Sequence, residues 1–208
     1  MSRPKLKVCG MKYPDNIAEL LTLSPDYMGM IFYTKSSRNV GPELDAKAIQ
    51  MIETVKKIGV FVNEEEDIML AKAKQYGLDY LQLHGRESPE LCKSLKNKGI
   101  GIIKVFSVGN GFDFKQLKAY EAFVDFFLFD TKGKHPGGNG VVFNWDILND
   151  YPSEVPFFLS GGIGLENATD IPNHPKLFAL DVNSKFELSP GLKNISELKK
   201  LNKILSAQ

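Results

Sequence analysis

Short apolar runs bounded by Gly, Pro or acidic residues alternate along this chain with longer segments whose apolar residues recur at helical spacing. Eight such runs predict strands: Lys5–Cys9, Tyr27–Phe32, Lys57–Val62, Asp79–Leu83, Ile100–Phe106, Asp125–Asp130, Pro156–Leu159 and Leu177–Val182. The segments Asn16–Leu23, Pro42–Val55, Glu65–Tyr76, Pro89–Asn97, Phe114–Ala122 and Ile195–Leu205 predict helices. Short helices are also expected at Trp145–Asp150 and Leu165–Asp170. Regular alternation of this kind predicts βα units over a parallel sheet. Eight strands in 208 residues fit one α/β domain, a (β/α)8 barrel over 1–208, near the lower size limit of that fold. An open doubly wound sheet would show a Gly-rich dinucleotide turn after its first strand, and Lys7-Val8-Cys9-Gly10 is not one.

Composition narrows the class without naming a partner. Apolar residues make up 43% and charged residues 25%, ordinary for a globular chain, and the net charge of +1 gives no global pull toward nucleic acid or anionic membrane. No apolar run approaches the roughly 18 residues that span a bilayer, and no signal-peptide core follows the polar start, so a cytoplasmic location is expected. Cys9 and Cys92 are too few for a disulfide framework and lack metal-ligand spacing, although counting alone does not rule out a bridge. The Lys-rich stretch Lys193–Lys203, interleaved with Leu and Ile, reads as the solvated face of the last helix. The acidic run Glu64–Asp67 suits the start of the third helix, where carboxylates complement the helix dipole.

A (β/α)8 barrel keeps its active site at the C-terminal ends of its strands, so polar residues there are the candidates. Cys9 ends the first strand, Gln82 and His84 the fourth, Asp130 the sixth, and Asp181 and Asn183 the eighth. Strand alternation puts Lys7 on the same face as Cys9, and a buried lysine needs an acidic partner, for which Asp181 on the adjoining strand is expected. Asp130 closes the apolar run Phe126–Phe129, surroundings that suit a general acid. His84 reads as a positioning histidine, since no second ligand lies at metal spacing. His135 and His174, in Pro-flanked loops, are expected to be solvated. Ser160-Gly161-Gly162-Ile163-Gly164 follows the seventh strand, where glycine backbone and a helix N-terminus would hold a phosphate. The long stretch from Thr131 to Val142, containing Pro136-Gly137-Gly138-Asn139-Gly140, has the length of a loop that closes over a substrate.

Taken in order, Lys7-Val8-Cys9-Gly10-Met11 with Asp15, Gly29–Phe32 followed by Ser37-Arg38, Gly59–Asn63, Gln82-Leu83-His84-Gly85, Asp130 with Gly137–Gly140 and Trp145, Ser160-Gly161-Gly162, and Asp181–Ser184 with Glu187 and Pro190-Gly191 resemble the phosphoribosylanthranilate isomerase family of tryptophan biosynthesis. The resemblance implies an Amadori rearrangement of N-(5-phosphoribosyl)anthranilate to 1-(2-carboxyphenylamino)-1-deoxyribulose 5-phosphate, with no metal, nicotinamide or flavin. It further implies Asp130 as general acid on the ring oxygen and Cys9 as general base on C2. Arg38 would clamp the anthranilate carboxylate, while backbone N–H groups around Gly161, Gly162, Asn183 and Ser184 would take the phosphate. Gln82, His84 and Asp181 complete the expected substrate contacts. The implied partner is one small anionic substrate, and monomer and homodimer both stay open.

Three positions depart from the family pattern. Asn183 and Lys185 interrupt Asp-Val-Ser-Ser-Gly-Val-Glu at the eighth strand, and Asn139 replaces the Thr of the Gly-Gly-Thr-Gly loop. A lysine in the place of glycine resists positive φ, so the phosphate loop is expected either to be reshaped or to gain an ammonium charge. Two other readings have a definite counter-argument. The related isomerase of histidine biosynthesis resembles two fused half-barrels with an Asp base on the first strand, where this chain has Cys9 and no half-to-half repeat. A silent phosphate-binding barrel needs neither the acid nor the base.

Overall fold

In a computed structural model, which describes residues 3–42, 44–109, 111–131 and 144–206, each of the eight apolar runs is a strand. These are β1 (Lys5–Val8), β2 (Tyr27–Ile31), β3 (Lys56–Phe61), β4 (Tyr80–Leu83), β5 (Gly101–Val108), β6 (Phe126–Thr131), β7 (Phe157–Leu159) and β8 (Leu177–Val182). They pair in sequence order as a closed parallel barrel, with β8 returning to β1 through Lys7 opposite Asp181. Alternating side chains divide the apolar residues in two. Tyr27, Ile58, Ile103, Val105, Phe126, Leu128, Phe158 and Ala179 fill the barrel interior, and the larger cluster lies between strands and helices. Among the described residues no helix is long and apolar enough to cross a membrane.

The helical connections follow the sequence less evenly. The first helix, α1 (Pro14–Leu21), opens with Pro14 in its first turn, where the missing N–H costs nothing. Further along, α3 (Glu66–Tyr76), α4 (Pro89–Asn97, capped by Ser88) and α5 (Ile195–Ser206) lie where the apolar period puts them. The helix expected over 42–55 shrinks to α2 (Ala46–Gln50). Asp45 caps its start, and the buried Lys57 ammonium collects the carbonyls of Ile49, Gln50 and Ile52, which ends the helix early. The helix expected over Phe114–Ala122 is instead two 3-10 turns, Phe114–Ala119 and Glu121–Phe123. Phe114, Leu117, Tyr120 and Phe123 all meet the core, and their spacing of three is the 3-10 period. Trp145–Asp150 is likewise 3-10.

Leu165–Asp170 is not a helix but a series of turns. Asn167 accounts for it: its side chain accepts from Gly164 N–H and donates to the Gly162 carbonyl, satisfying locally the backbone groups that a helix would use. After β8 come features absent from the strand pattern, a 3-10 turn (Ser184–Phe186) and an antiparallel hairpin of β9 (Glu187–Ser189) and β10 (Leu192–Lys193). The glycine-rich segment 136–140, His135 and most of the expected lid lie outside the described residues.

Candidate active site

At the C-terminal mouth of the barrel, the strand ends bring together Lys7, Cys9, Gln82, His84, Asp130 and Asp181. Lys7 Nζ donates to Asp181 Oδ2 at 2.7 Å and to Gln82 Oε1 at 2.6 Å. The pair is buried, so breaking it leaves an uncompensated charge in a low-dielectric interior. Burial alone would drive the proton off Lys7, but Asp181 and Cys9 raise its affinity for that proton. Asp181 is drawn up by burial against the opposing pull of Lys7. With two oxygen acceptors this close to Nζ, the charged pair is the arrangement that satisfies both groups. Replacing Lys7 by Met is therefore expected to lower the stability against urea by about 3–5 kcal/mol; full stability in that variant would contradict the pairing.

The lysine also fixes what lies beyond it. Lysine only donates, so Gln82 must turn Oε1 to Lys7 and its Nε2 to His84 Nδ1, 3.1 Å away. Nδ1 is then the acceptor, and the proton of the neutral imidazole sits on Nε2, which faces Asp130 Oδ2 at 3.5 Å. Asp130 is thus not in the purely apolar surroundings expected from Phe126–Phe129: His84 faces one oxygen, and Thr131 N–H donates to the other at 2.8 Å. Gly161 makes room for this, since a Cβ there would come within 2.9 Å of Asp130 Oδ1 and 2.6 Å of Thr131 N, and its φ of +90° suits glycine.

Cys9 follows the last residue of β1 and is buried, its N–H held by the Val182 carbonyl at 2.9 Å. Burial pushes its thiol up, while Lys7 and Lys193 pull it down. Gly10 turns the chain away at φ +78°, and a Cβ in its place would strike Asn183 Oδ1 and the Arg38 side chain. Arg38, Asn183 and Cys9 therefore converge at one corner of the mouth. Arg38 donates from Nε and Nη2 to both oxygens of Glu187. That leaves the Nη1 side of the guanidinium fork for another anion.

The loop after β7 carries Gly161 and Gly162, both at positive φ, and no acceptor among the described residues takes their N–H groups. Because the following segment is not helical, the helix dipole expected there is missing, and any phosphate affinity rests on the exposed amides. Ser184 opens the 3-10 turn after β8, and the Asn183 side chain is occupied by Lys193 at 2.6 Å. Lys185 stands in that turn without positive φ, so its Cβ is accommodated. Its ammonium pairs with Glu166 at 2.7 Å and offsets a carboxylate beside the glycine loop.

Two expectations need correction. His174 is only partly solvated; its ring packs on Phe157 and Tyr151, and burial, with Lys176 nearby, lowers its proton affinity. Lys193 is not on a solvated helix face either. It ends β10 with its side chain wholly buried, between Glu187 and Asn183. The hairpin turns Lys193 inward before α5 begins, an antiparallel feature that a helical apolar period does not register. Glu187 and Lys193 are thus site residues without an assigned role in the sequence reading. Both cysteines are free.

Known proteins resemble this chain along nearly its whole length. The family model described as N-(5'-phosphoribosyl)anthranilate (PRA) isomerase matches residues 6–204. A curated relative of that name from Parabacteroides distasonis is 47% identical over 199 residues, covering 93% of this chain and 90% of the relative. The crystal structure of phosphoribosyl anthranilate isomerase from Thermotoga maritima superposes with a TM-score of 0.87 at 32% identity, covering 99% of this chain and all of that one (100%). A phosphoribosyl anthranilate isomerase solved in complex with reduced 1-(o-carboxyphenylamino)-1-deoxyribulose 5-phosphate superposes at 0.83 with 31% identity, over 99% and 100% of the two chains. The chain belongs to the N-(5'-phosphoribosyl)anthranilate isomerase family.

Proposed function

We propose that Cys9 and Asp130 carry the family's Amadori rearrangement of N-(5-phosphoribosyl)anthranilate as general base and general acid. The observation that carries this reading is their placement at one barrel mouth, three strands apart around the closed sheet, with Asp181 interacting electrostatically with both. Asp130 protonates the furanose ring oxygen as the ring opens to the iminium. Cys9 then removes the C2 proton, which the adjacent cationic nitrogen acidifies, and the enolamine that results tautomerises to the ketone. Protonation and deprotonation on separate groups let one sugar be worked from two sides. Asp181 Oδ1 is buried without a hydrogen-bond partner among the described residues, an acceptor suited to a substrate hydroxyl.

Phosphate goes to the backbone N–H groups of Gly161 and Gly162, which no described residue accepts, together with Asn183 and Ser184, and the anthranilate carboxylate to the open side of Arg38. Gln82 and His84 complete the substrate contacts. Arg38→Met is expected to raise KM by about 10–100-fold with kcat much less affected, as for lost binding to an anion. An unchanged KM in steady-state assays would remove Arg38 from the site. A thiol base suits a reducing compartment, so the reading places the enzyme in the cytoplasm, as a monomer or homodimer. The direct test of the activity is genetic. A bacterial strain lacking its own phosphoribosylanthranilate isomerase should grow without tryptophan when it expresses this chain, and no growth despite soluble expression would overturn the assignment.

A further inference from the structure

We propose that Lys193, held beneath the corner of the mouth by the β9–β10 hairpin, is a positioning residue that makes the Cys9 thiolate easier to form for proton abstraction. The proposal rests on Cys9 being the base. Its first support is geometric. The Lys193 side chain is wholly buried, and its Nζ donates to Asn183 Oδ1 and Glu187 Oε1, both at 2.6 Å. A Cβ on Gly10, the residue after Cys9, would lie 3.4 Å from that nitrogen. Asn16 of α1 clamps the backbone beneath it, accepting from Lys193 N–H at 2.7 Å and donating to its carbonyl at 3.0 Å. The ammonium therefore has little freedom, and two of its three donors are taken among the described residues.

The second support is the charge balance of the corner. Arg38 and Lys193 are two cations sharing one carboxylate, Glu187, which also accepts from Gly191 N–H. Arg38 and Lys193 hold Glu187 ionised against its burial. Arg38 keeps a side open to solvent and substrate, whereas Lys193 is wholly buried, so a neighbouring anion stabilises its charge. Cys9 is the nearby group able to become that anion, and the two interact electrostatically. The other groups facing this corner do not supply it. Lys7 on β1 acts on the same thiol, but its charge is paired with Asp181 on β8, which opposes it there; Lys12 packs along Gly191, and Glu19 of α1 is turned to the Asn16 amide. Burial pulls Lys193 toward its neutral form, opposed by Glu187 and Cys9. Carboxylate and thiolate thus oppose the effect of burial on the ammonium, as it opposes that effect on them.

The test titrates Cys9 itself in the full-length protein, by the ultraviolet absorbance of the thiolate read as a difference from Cys9→Ala. Cys92, pushed up to about 11 by burial, cancels in that difference. Lys193→Met is expected to move the Cys9 midpoint up by about one pH unit or more, and the acidic limb of kcat/KM with it, while Lys193→Arg stays near wild type. A folded Lys193→Met with an unchanged midpoint overturns the proposal, as does an equal displacement in both variants, which would mark a packing effect. If Lys193→Met fails to fold, Glu187→Gln decides: removing the shared carboxylate should move the midpoint down, and an unmoved midpoint overturns it. No substrate enters the titration, so an inactive wild type would fail the isomerase reading separately.

Discussion

Cys9→Ala is expected to lower kcat by about 10³-fold or more, with KM within a few-fold of wild type, as for loss of a base that acts only in the transition state. The thiol sits at the end of β1, buried at the barrel mouth. Lys7 and Lys193 both favour its ionised form, against burial, the largest influence, and Asp181. Alanine removes the sulfur and with it the interactions of Cys9 with Lys7 and Lys193, while the Cys9 N–H bond to the Val182 carbonyl, a backbone contact, remains. The variant should still bind a reduced product analogue, and calorimetry separates lost chemistry from a lost site. A Cys9→Ala enzyme that kept wild-type kcat would remove Cys9 from the reaction and with it the case for a thiol base.

Asp130→Asn is the second large effect, with kcat expected to fall by about 10²–10⁴-fold. The amide is the same shape and its oxygen accepts from Thr131 N–H as the carboxylate does, so the Gly161 turn packed against it stays in place. What it loses is the acidic proton, and ring opening has no donor. Ring opening and C2 deprotonation are separate steps, so the defects need not add. A substrate analogue with the ring already open should recover much of the rate in Asp130→Asn and little in Cys9→Ala. Equal rates with the two substrates in Asp130→Asn would place the acid elsewhere.

The barrel was legible because each strand is a mostly apolar run, largely buried, set off by Gly, Pro or charged residues from helices that keep their period. Lys7 and Asp181 were legible through alternation alone: the face that Cys9 takes fixes the face that Lys7 takes, and barrel closure brings β8 beside β1. Helix lengths were less legible, because they were decided by single side chains acting at a distance in sequence. Lys57 ends α2 from the next strand, and Asn167 keeps 165–170 out of a helix. Lys193 was misplaced for a related reason. Its burial depends on a five-residue step (190–194) between β9 and α5, shorter than any window in which a period is visible. The bidentate Arg38–Glu187 contact joins residues far apart in sequence, so spacing could not reveal it.

The central claim is that one cysteine and one aspartate at this barrel mouth perform the isomerisation, and single-turnover decay of the fluorescent anthranilate substrate tests it most directly. Wild type, Cys9→Ala and Asp130→Asn are compared at saturating enzyme with a metal chelator present. The account predicts rapid decay for wild type and rates slower by orders of magnitude for both variants, each still binding the product analogue. Undiminished decay in either variant, or a wild type that binds without turning over, would contradict it.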